Sequence, residues 1–135
     1  MDAPHCIATV TLNPALDIAT ATDQVVPAHK LRCAAPRYDP GGGGINVARV
    51  IHTLGGEATA VFPSGHATGM ALVSMLEEEG VPVRAIPVAG ATRISMTVAE
   101  RTSGAEFRFV LPGPTLNEAE RQAVLDTIRA LAGRG

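Results

Sequence analysis

The sequence predicts an α/β fold with a small β-sheet excursion. Segments of strand and helix character follow one another in the order strand, helix, strand, helix, strand, hairpin, helix. The chain has 135 residues, the size of one domain or part of one, and 46% of them are hydrophobic whereas 18% are charged. Because there is no Trp, one Tyr and three Phe, aliphatic side chains must fill most of the core.

The first strand is predicted over residues 6–12, where apolar side chains on both faces are typical of a buried parallel strand. Asn13-Pro14 ends it. Residues 18–39 are less regular, with Thr, Val and Arg among prolines. This pattern favours short strands at an edge or outside the main sheet.

Four consecutive glycines, Gly41–Gly44, precede a predicted helix over 45–54 that Gly55-Gly56 terminates. Glycine is costly in chain entropy, so the run indicates that backbone passes close to another group. The N–H groups that open a helix suit hydroxyls, phosphates and developing oxyanions, whereas the alternative is a solvated linker. No Gly-Lys-Ser or Gly-Lys-Thr follows, and Asn46 stands where a dinucleotide fingerprint has its third glycine.

The later elements follow from periodicity and stop signals. They are a strand at 58–62, a helix at 68–79, a strand at 81–88, a hairpin of 93–101 with 106–111 around a turn at 102–105, and a final helix. A capping-box pattern from Thr115 to Glu118 opens the final helix. The predicted apolar faces are Met70, Leu72, Val73 and Leu76 on helix 68–79, and Val124, Ile128 and Leu131 on the final helix.

Composition argues against several classes of protein. A net charge of −2 gives no electrostatic footprint for nucleic acid or an anionic membrane, and no apolar run approaches the roughly 18 residues of a bilayer span. The N-terminus lacks the basic start of a signal peptide. Cys6 and Cys33 form no metal spacing or disulfide framework and are expected to be reduced packing residues. We therefore expect a cytoplasmic protein without nucleic-acid or membrane partners.

The end of the sequence also carries an expectation. The final helix runs to the last residues, at the point where an α/β protein enters its next strand. With few parallel strands formed, the sheet would have an open edge and an uncovered apolar face. We therefore expect the chain to be the first half of a larger fold.

Five side chains are candidates for ligand binding. Asp17 follows the first strand, at the sheet edge where open α/β sheets bind ligands, and its carboxylate can accept hydrogen bonds from sugar hydroxyls or be a solvated surface group. Asn46 can offer its amide to a ligand hydroxyl or bond local backbone. Lys30, Arg32 and Arg93 are candidates for binding an anion, since Arg matches phosphate oxygens in pairs; the alternative is solvated surface cations.

These segments together resemble the PfkB (ribokinase-like) family of sugar kinases. TLNPALD, PGGGGINVARVIHTLGG and RFVLPGP are similar to its N-terminal hallmarks, and the resemblance covers nearly the whole chain. KLRCAAP, ATAVFPSGHATG and RFVLPGPTLNE resemble its 6-phosphofructokinase branch more than ribokinase, with the 1-phosphofructokinase and tagatose-6-phosphate kinase branches nearby. The resemblance implies that residues 1–135 are the N-terminal part of a three-layer α/β sandwich, with a β-sheet lid at 18–22, 32–39, 93–100 and 106–111.

The resemblance also implies a role for each matched residue. The positions that bind sugar hydroxyls match Asp17, Gly42, Gly43 and Asn46. The positions that hold the existing phosphate of the sugar match Lys30 and Arg93, and Arg32 resembles a residue that reaches this phosphate from a partner subunit. The lid would pair two subunits and exclude water, which competes for the transferred phosphoryl group.

The implied activity is ATP-dependent phosphorylation of fructose 6-phosphate at the 1-hydroxyl in glycolysis, with MgATP as the cofactor of the parent protein. The Gly-Ala-Gly-Asp signature of the family, which supplies the anion hole and the catalytic aspartate, has no counterpart here, and neither do its nucleotide-binding segments. We therefore expect this chain to carry the sugar-binding half and to be inactive alone. The alternatives are 1-phosphofructokinase, tagatose-6-phosphate kinase, a non-catalytic sugar-phosphate binding or assembly module, and an unrelated α/β nucleotide-binding domain.

Overall fold

A computed structural model describes residues 5–133, in which seven strands and three helices form two sheets. The strands are β1 (Ile7–Val10), β2 (Ala15–Thr22), β3 (Arg37–Gly41), β4 (Ala58–Ser64), β5 (Val83–Pro87), β6 (Arg93–Glu100) and β7 (Glu106–Val110). The helices are α1 (Gly43–Thr53), α2 (His66–Glu78) and α3 (Glu118–Ala132). The predicted α/β class and the order of its elements are confirmed.

The first sheet is parallel, has the order β1-β4-β5 and lies between two helical layers. Successive side chains of a strand point to opposite faces. On β4, Ala58, Ala60 and Phe62 accordingly pack in the cluster that contains residues of α1 and α2, whereas Val61 packs with residues of α3. The three layers are therefore α1 and α2, the sheet, and α3, as the predicted sandwich requires.

The buried faces of the helices match the prediction except at one position. On α3, Val124 and Leu131 are buried and Ile128 is half-buried, as predicted. On α2 the buried stripe is Gly69, Leu72 and Leu76, and Met70 is 74% exposed. The placement of Met70 in the apolar face was wrong, because a residue next to Gly69 lies about 100° around the helix from it.

β1 also differs from its expected burial. Within residues 5–133 it pairs with β4 alone, and Ile7 and Val10 are 43% and 40% exposed. The expectation of a strand buried on both faces was therefore wrong for this chain. Its apolar side chains lie at an open edge of the sheet.

The second sheet has the order β3-β2-β6-β7 and contains the predicted hairpin of β6 and β7. β2 runs antiparallel to β3 and parallel to β6. Of the segment 32–39, only the part from Arg37 onward is strand; before it, the Ala34 N–H donates to the Ala21 carbonyl at 2.9 Å. The four segments that the sequence grouped together thus lie in or beside one sheet, apart from the three-stranded core.

The start of α3 differs from the predicted capping box. Asn117, not Thr115, is the N-cap: its side chain accepts from the Glu120 N–H at 2.8 Å, and the Glu120 carboxylate accepts from the Asn117 N–H at 2.9 Å. The carboxylate also accepts from the Ala89 N–H at 2.7 Å, which connects α3 to the loop after β5. The predicted box over Thr115–Glu118 was wrong by two positions, because this tertiary contact fixes Glu120 as the third helical residue.

The other predicted boundaries agree with the structure to within two residues, except that β2 begins at Ala15, three residues before the predicted segment 18–22. Cys6 and Cys33 are both free, but both are exposed, so their assignment as packing residues was wrong. None of the helices in the described part of the chain has the length and apolar character of a membrane span.

Candidate functional site

The candidate site lies where the second sheet meets the start of α1. Side chains of adjacent register rows point to opposite faces of a sheet. Asp17 lies in one register row with Asp39 and Ser95. The row of Arg108 is two positions further along the sheet, and the row of Arg93 is two positions back. All five side chains therefore lie on the same face. The row between those of Asp17 and Arg108 is on the other face, and it consists of Tyr38, Ile18, Met96 and Phe109. The second sheet thus has a polar face next to the glycine run and an apolar face behind it.

Asp17 lies inside β2 and not in the turn after the first strand, which corrects the expected position. It is half-buried, and no ion pair joins it to a cation within residues 5–133. Burial raises the pKa of its carboxyl above the ordinary 3.8, and repulsion from Asp39 adds to the rise, while Arg93, Arg108 and Arg49 oppose it. A partly desolvated carboxylate without a salt bridge is suited to accept hydrogen bonds from a neutral polyol.

Packing within the protein explains three of the four glycines. A Cβ at Gly41 would collide with the Asp17 carboxylate, and one at Gly44 would lie 2.7 Å from the Val10 carbonyl oxygen. Gly42 has a φ of +124°, which L side chains rarely adopt, and its Cβ would meet the Thr11 methyl group. The close approach that the run indicated is therefore present at these three positions, where the group approached belongs to the protein itself.

Gly43 is the glycine that faces open space. A Cβ built there would have no heavy atom within 4 Å, and the residue is exposed at the first position of α1. The Ile45 N–H donates to the Thr11 hydroxyl at 3.0 Å, whereas the N–H groups of Gly43 and Gly44 have no hydrogen-bond partner among residues 5–133. The helix start therefore offers two donors beside the polar face.

Arg93, at the start of β6, is held by its neighbours. Its Nε and Nη2 donate to the Asn13 carbonyl at 3.3 and 3.2 Å, and its Nη1 donates to Ser95 Oγ at 3.0 Å. It is half-buried, and its charge lowers the pKa of Asp17. The structure thus places a fixed guanidinium near the unpaired carboxylate, in an orientation set by backbone and hydroxyl oxygens.

Lys30 and Arg32 lie in the loop between β2 and β3, and both are exposed. Hydrogen bonds fix this loop at several points: for example, the Thr22 hydroxyl donates to the Arg32 carbonyl at 3.0 Å, and the Val25 N–H donates to the Glu100 carboxylate at 2.6 Å. No side-chain hydrogen bond or ion pair joins either cation to Asp17 or Arg93 in the part of the chain described here. Within residues 5–133, the structure therefore shows no direct contact of these two predicted residues with Asp17 or Arg93.

Asn46 is exposed in the first turns of α1, and its N–H donates to the Gly42 carbonyl at 2.9 Å. It borders a cavity of about 550 Å³ between α1 and the end of α2. The residues that line this cavity are Asn46, Arg49, Val50, His52, Thr53 and Glu79. Since Asp17 and Arg93 do not line it, we locate the candidate site by the polar groups and not by this cavity.

Sequence reasoning missed several residues around the site. Thr11 accepts the Ile45 N–H, Asp39 lies opposite Asp17, Arg108 shares its face, and Arg49 contacts the segment before the glycines. Arg108 stands within the RFVLPGP motif, so the motif itself could have indicated it. Thr11 and Arg49 likewise stand within the TLNPALD and PGGGGINVARVIHTLGG motifs, whereas Asp39 stands in none. The contacts of these three residues join distant segments, and the sequence contains no local signal for such contacts.

A model of the pfkB family of carbohydrate kinases matches residues 10–132. The chain belongs to this family. It is 56% identical over 126 residues to the ATP-dependent 6-phosphofructokinase isozyme 2 of Mycobacterium tuberculosis, a match that covers 93% of this chain and 37% of the relative. It is 32% identical over 127 residues to the 1-phosphofructokinase of Xanthomonas campestris, of which it covers 40%.

Among solved structures, the chain matches phosphofructokinase-2 from Escherichia coli in complex with fructose-6-phosphate, with a TM-score of 0.87 and 51% identity. This match covers 92% of this chain and 41% of the other. The chain thus spans about two fifths of the length of these relatives. The predicted ribokinase-like fold and pfkB family are confirmed, and the chain is similar to sugar-phosphate kinases.

Proposed function

We propose that this pfkB-family chain is the sugar-binding part of an ATP-dependent 6-phosphofructokinase that phosphorylates fructose 6-phosphate at its 1-hydroxyl. One observation carries the proposal: an unpaired, half-buried Asp17 lies near the fixed guanidinium of Arg93 and the open helix start at Gly43. A phosphorylated sugar has both the hydroxyls and the dianion that such an arrangement recognises. The 56% identity to a 6-phosphofructokinase supports this substrate over those of the other branches.

The hydroxyls of the sugar are assigned to the start of α1 and to the carboxylate. Asp17 accepts from hydroxyl groups, and the N–H of Gly43 donates to a hydroxyl oxygen. Gly42 and Asn46 complete the platform, Gly42 through its backbone and Asn46 through its amide. The absence of a side chain at Gly43 lets the sugar approach the backbone, which any Cβ would prevent.

The existing phosphate of the sugar is assigned to Arg93 and Lys30, and Arg32 reaches it from a second subunit. Arg93 is already oriented by Asn13 and Ser95, so little side-chain entropy is lost on binding. Lys30 and Arg32 extend from an exposed loop with their charges available to a ligand. Charge-assisted bonds from these cations hold the phosphate so that the opposite end of the sugar is presented for transfer.

The second sheet acts as the lid and as the surface that pairs two subunits. The lid comprises the predicted segments 18–22, 32–39, 93–100 and 106–111. Tyr38, Met96 and Phe109 form one cross-strand row and are 51%, 36% and 49% exposed, an apolar surface that a second copy would cover. Sedimentation is expected to show dimers, which Met96→Glu dissociates; a monomer at all accessible concentrations contradicts the pairing.

MgATP is assigned to residues outside this chain. Within residues 5–133, no group of three His, Cys, Asp or Glu side chains is placed to hold a metal ion, and the sequence has no counterpart of the Gly-Ala-Gly-Asp signature. Because that signature supplies the anion hole and the catalytic aspartate, the cofactor is assigned to the part of the parent protein that carries it. Their part in the reaction is to bind and orient the acceptor sugar in the cytoplasm and to exclude water, and the chain alone should not transfer phosphate.

The test joins residues 1–132 to the portion of the M. tuberculosis relative that follows its matched segment. The chimera is expected to phosphorylate fructose 6-phosphate with ATP, and neither the 135-residue chain nor the relative's portion should do so alone. Turnover by the isolated chain would contradict the assignment of catalysis to other residues. Binding of fructose 6-phosphate by the chain without turnover in the chimera supports the alternative of a non-catalytic sugar-phosphate binding module.

A ligand panel separates the kinase branches. Fructose 6-phosphate is expected to bind the chain more tightly than tagatose 6-phosphate or fructose 1-phosphate. If fructose 1-phosphate binds best, the 1-phosphofructokinase alternative replaces the proposal; a preference for tagatose 6-phosphate favours the third branch. Isothermal titration of the three sugars under identical buffer conditions gives this ranking directly.

A further inference from the structure

Arg49, in the second turn of α1, is not among the residues assigned to the sugar. We infer that Arg49 is a positioning residue of the sugar site, which holds the backbone before the glycine run and balances the charge beside Asp17. This inference rests on the proposed function. It is carried by the contacts of one half-buried guanidinium with three residues in two separate segments of the chain, Glu79 after α2 and Asp39 and Pro40 in β3.

The first contact is with α2. Arg49 Nε and Nη2 donate to the two carboxylate oxygens of Glu79 at 2.8 and 2.7 Å, a bidentate pair across 30 residues of sequence. This hydrogen-bonded pair raises the pKa of Arg49. The pair joins α1 to the residue that follows the last turn of α2, and it fixes the plane of the guanidinium.

The second and third contacts are with β3. Arg49 Nη1 donates to the Pro40 carbonyl at 3.3 Å, and Nη2 lies 3.7 Å from Asp39 Oδ1. Pro40 directly precedes the glycine run. Asp39 is the register partner of Asp17 on the same face of the sheet. One side chain therefore contacts both the peptide that leads into Gly41–Gly43 and the carboxylate nearest to the proposed hydroxyl acceptor.

These contacts bear on the charge at Asp17. Repulsion from Asp39 raises the pKa of Asp17, and the positive charge of Arg49 lowers it. Asp39 also pairs with Arg37 at 2.8 Å, but the Arg37 side chain is 79% exposed and that pair is weak. Arg49 is thus less exposed to solvent than Arg37 as a counter-charge of Asp39. Its positive charge offsets the repulsion between the carboxylates of Asp39 and Asp17, which favours the ionised form of Asp17.

A purely mechanical role for Arg49 would be a connection between α1 and α2. Two neutralising variants separate the roles, because Glu79→Gln breaks this connection alone, whereas Arg49→Gln breaks it and also removes the contacts with Pro40 and Asp39. Both should lower the thermal midpoint of the chain, and Arg49→Gln should lower it by at least as much as Glu79→Gln. Arg49→Gln should weaken binding of fructose 6-phosphate by about tenfold, and Glu79→Gln by about twofold or less.

The experiment measures the thermal midpoint and the dissociation constant of fructose 6-phosphate for the full 135-residue chain and these variants. Arg129→Gln on α3, which breaks an exposed pair with Asp126 at 3.8 Å, is the matched control and should change neither quantity. If Arg49→Gln does not fold, Arg49→Lys replaces it, because it keeps the charge but not the fork. Its dissociation constant should then exceed that of Glu79→Gln by several-fold.

Equal weakening of binding by the Arg49 and Glu79 variants, or weakening by neither, overturns the inference while leaving the proposed function intact. An unaltered chain that binds no fructose 6-phosphate overturns the proposed function and the inference with it. A loss of affinity that is at least about fivefold larger in the Arg49 variant than in the Glu79 variant, with both variants folded at the temperature of the titration, supports the positioning role.

Discussion

The two sheets of this chain differ in how far their side chains are buried. In the three-stranded sheet, helices cover both faces, and Val61 and Phe62 of β4 are completely buried. In the four-stranded sheet, Val98 is buried, but Phe109 and Tyr38 are about half exposed and the opposite face carries Asp17 and Arg93. Stability therefore comes mainly from the first sheet. The groups available to a ligand lie on the second, in which Ala15, Leu16 and Val98 are buried but the row of Tyr38, Met96 and Phe109 is exposed.

The start of α1 is the point where these two regions meet. Gly42 and Gly44 pack against the end of β1, Gly41 packs against Asp17, and Gly43 faces open space. The same short segment thus serves packing at three positions and leaves one for a ligand. Substitutions in matched pairs can test whether this division between stability and binding is real.

The largest expected effect is on the free energy of unfolding. Phe62→Ala leaves a cavity in a fully buried position and should destabilise the chain by about 3–5 kcal/mol. Phe109→Ala removes the same side chain from a site that is 49% exposed in one copy and, at a protein concentration too low for dimers, should change the free energy by less than about 1 kcal/mol. Urea unfolding followed by circular dichroism measures both. Similar losses in the two variants would contradict the difference between the sheets.

Neighbouring glycines should separate stability from binding. Gly42→Ala forces a side chain into a φ of +124° and against Thr11, so it should cost about 2–3 kcal/mol of unfolding free energy. Gly43→Ala meets no protein atom within 4 Å, so it should leave stability unchanged or raise it by about 0.5 kcal/mol.

The Gly43 variant is instead expected to lose affinity for fructose 6-phosphate by about tenfold, because its Cβ occupies the space assigned to the sugar. Urea unfolding and titration calorimetry on both variants provide the two quantities. A Gly43→Ala chain that binds the sugar with unchanged affinity would remove Gly43 from the site.

The smallest expected effects are opposite pH dependences of stability in the two regions. Burial raises the pKa of Asp17 above 3.8, so its favourable contribution is complete below that value and is lost as pH rises through the raised pKa. Backbone hydrogen bonds from Asn117 and Ala89 lower the pKa of Glu120 below 4.5, so its contribution is present above 4.5 and is lost as pH falls through the lowered pKa.

The free energy of unfolding of two variants, measured from about pH 3 to 7, tests these signs. Asp17→Asn should remove the loss of stability that occurs as the pH rises above about 4. Glu120→Gln should remove the loss of stability that occurs as the pH falls below about 4. The unaltered chain, measured in the same buffers, is the reference. Two variants that shift the stability profile in the same direction would contradict the assigned environments.

Much of this fold could be predicted from the sequence because its signals are local. Strand and helix periods, Gly55-Gly56 after α1 and the turn before β7 are contained within a few residues, and the predicted boundaries followed them closely. The residue at which α3 begins could not be predicted in this way. Thr115 and Asn117 both suit an N-cap, and the contact of Glu120 with Ala89, 31 residues away, decides between them.

The residues of the candidate site likewise fall into two groups, those that the sequence indicated and those that only tertiary contacts place there. Asp17 and Gly43 stand in motifs that resemble those of the family, and Arg93 matches a phosphate-binding position that the resemblance implies, so the sequence indicated all three. Asp39 becomes a neighbour of Asp17 only through the antiparallel register of β2 and β3, and Arg49 reaches Glu79 only when α1 packs beside α2. Such pairings depend on tertiary structure and leave no periodic pattern in the sequence.

The most direct test of the central claim, that the second sheet binds the phosphate of a sugar, is the dissociation constant of fructose 6-phosphate for two arginine variants. Arg93→Ala removes a charge-assisted contact and should cost about 1.5–3 kcal/mol, or about 10- to 150-fold in affinity. Arg84→Ala removes an exposed arginine from β5 in the other sheet and should leave the dissociation constant unchanged. Equal affinities for the unaltered chain and the Arg93 variant would contradict the claim.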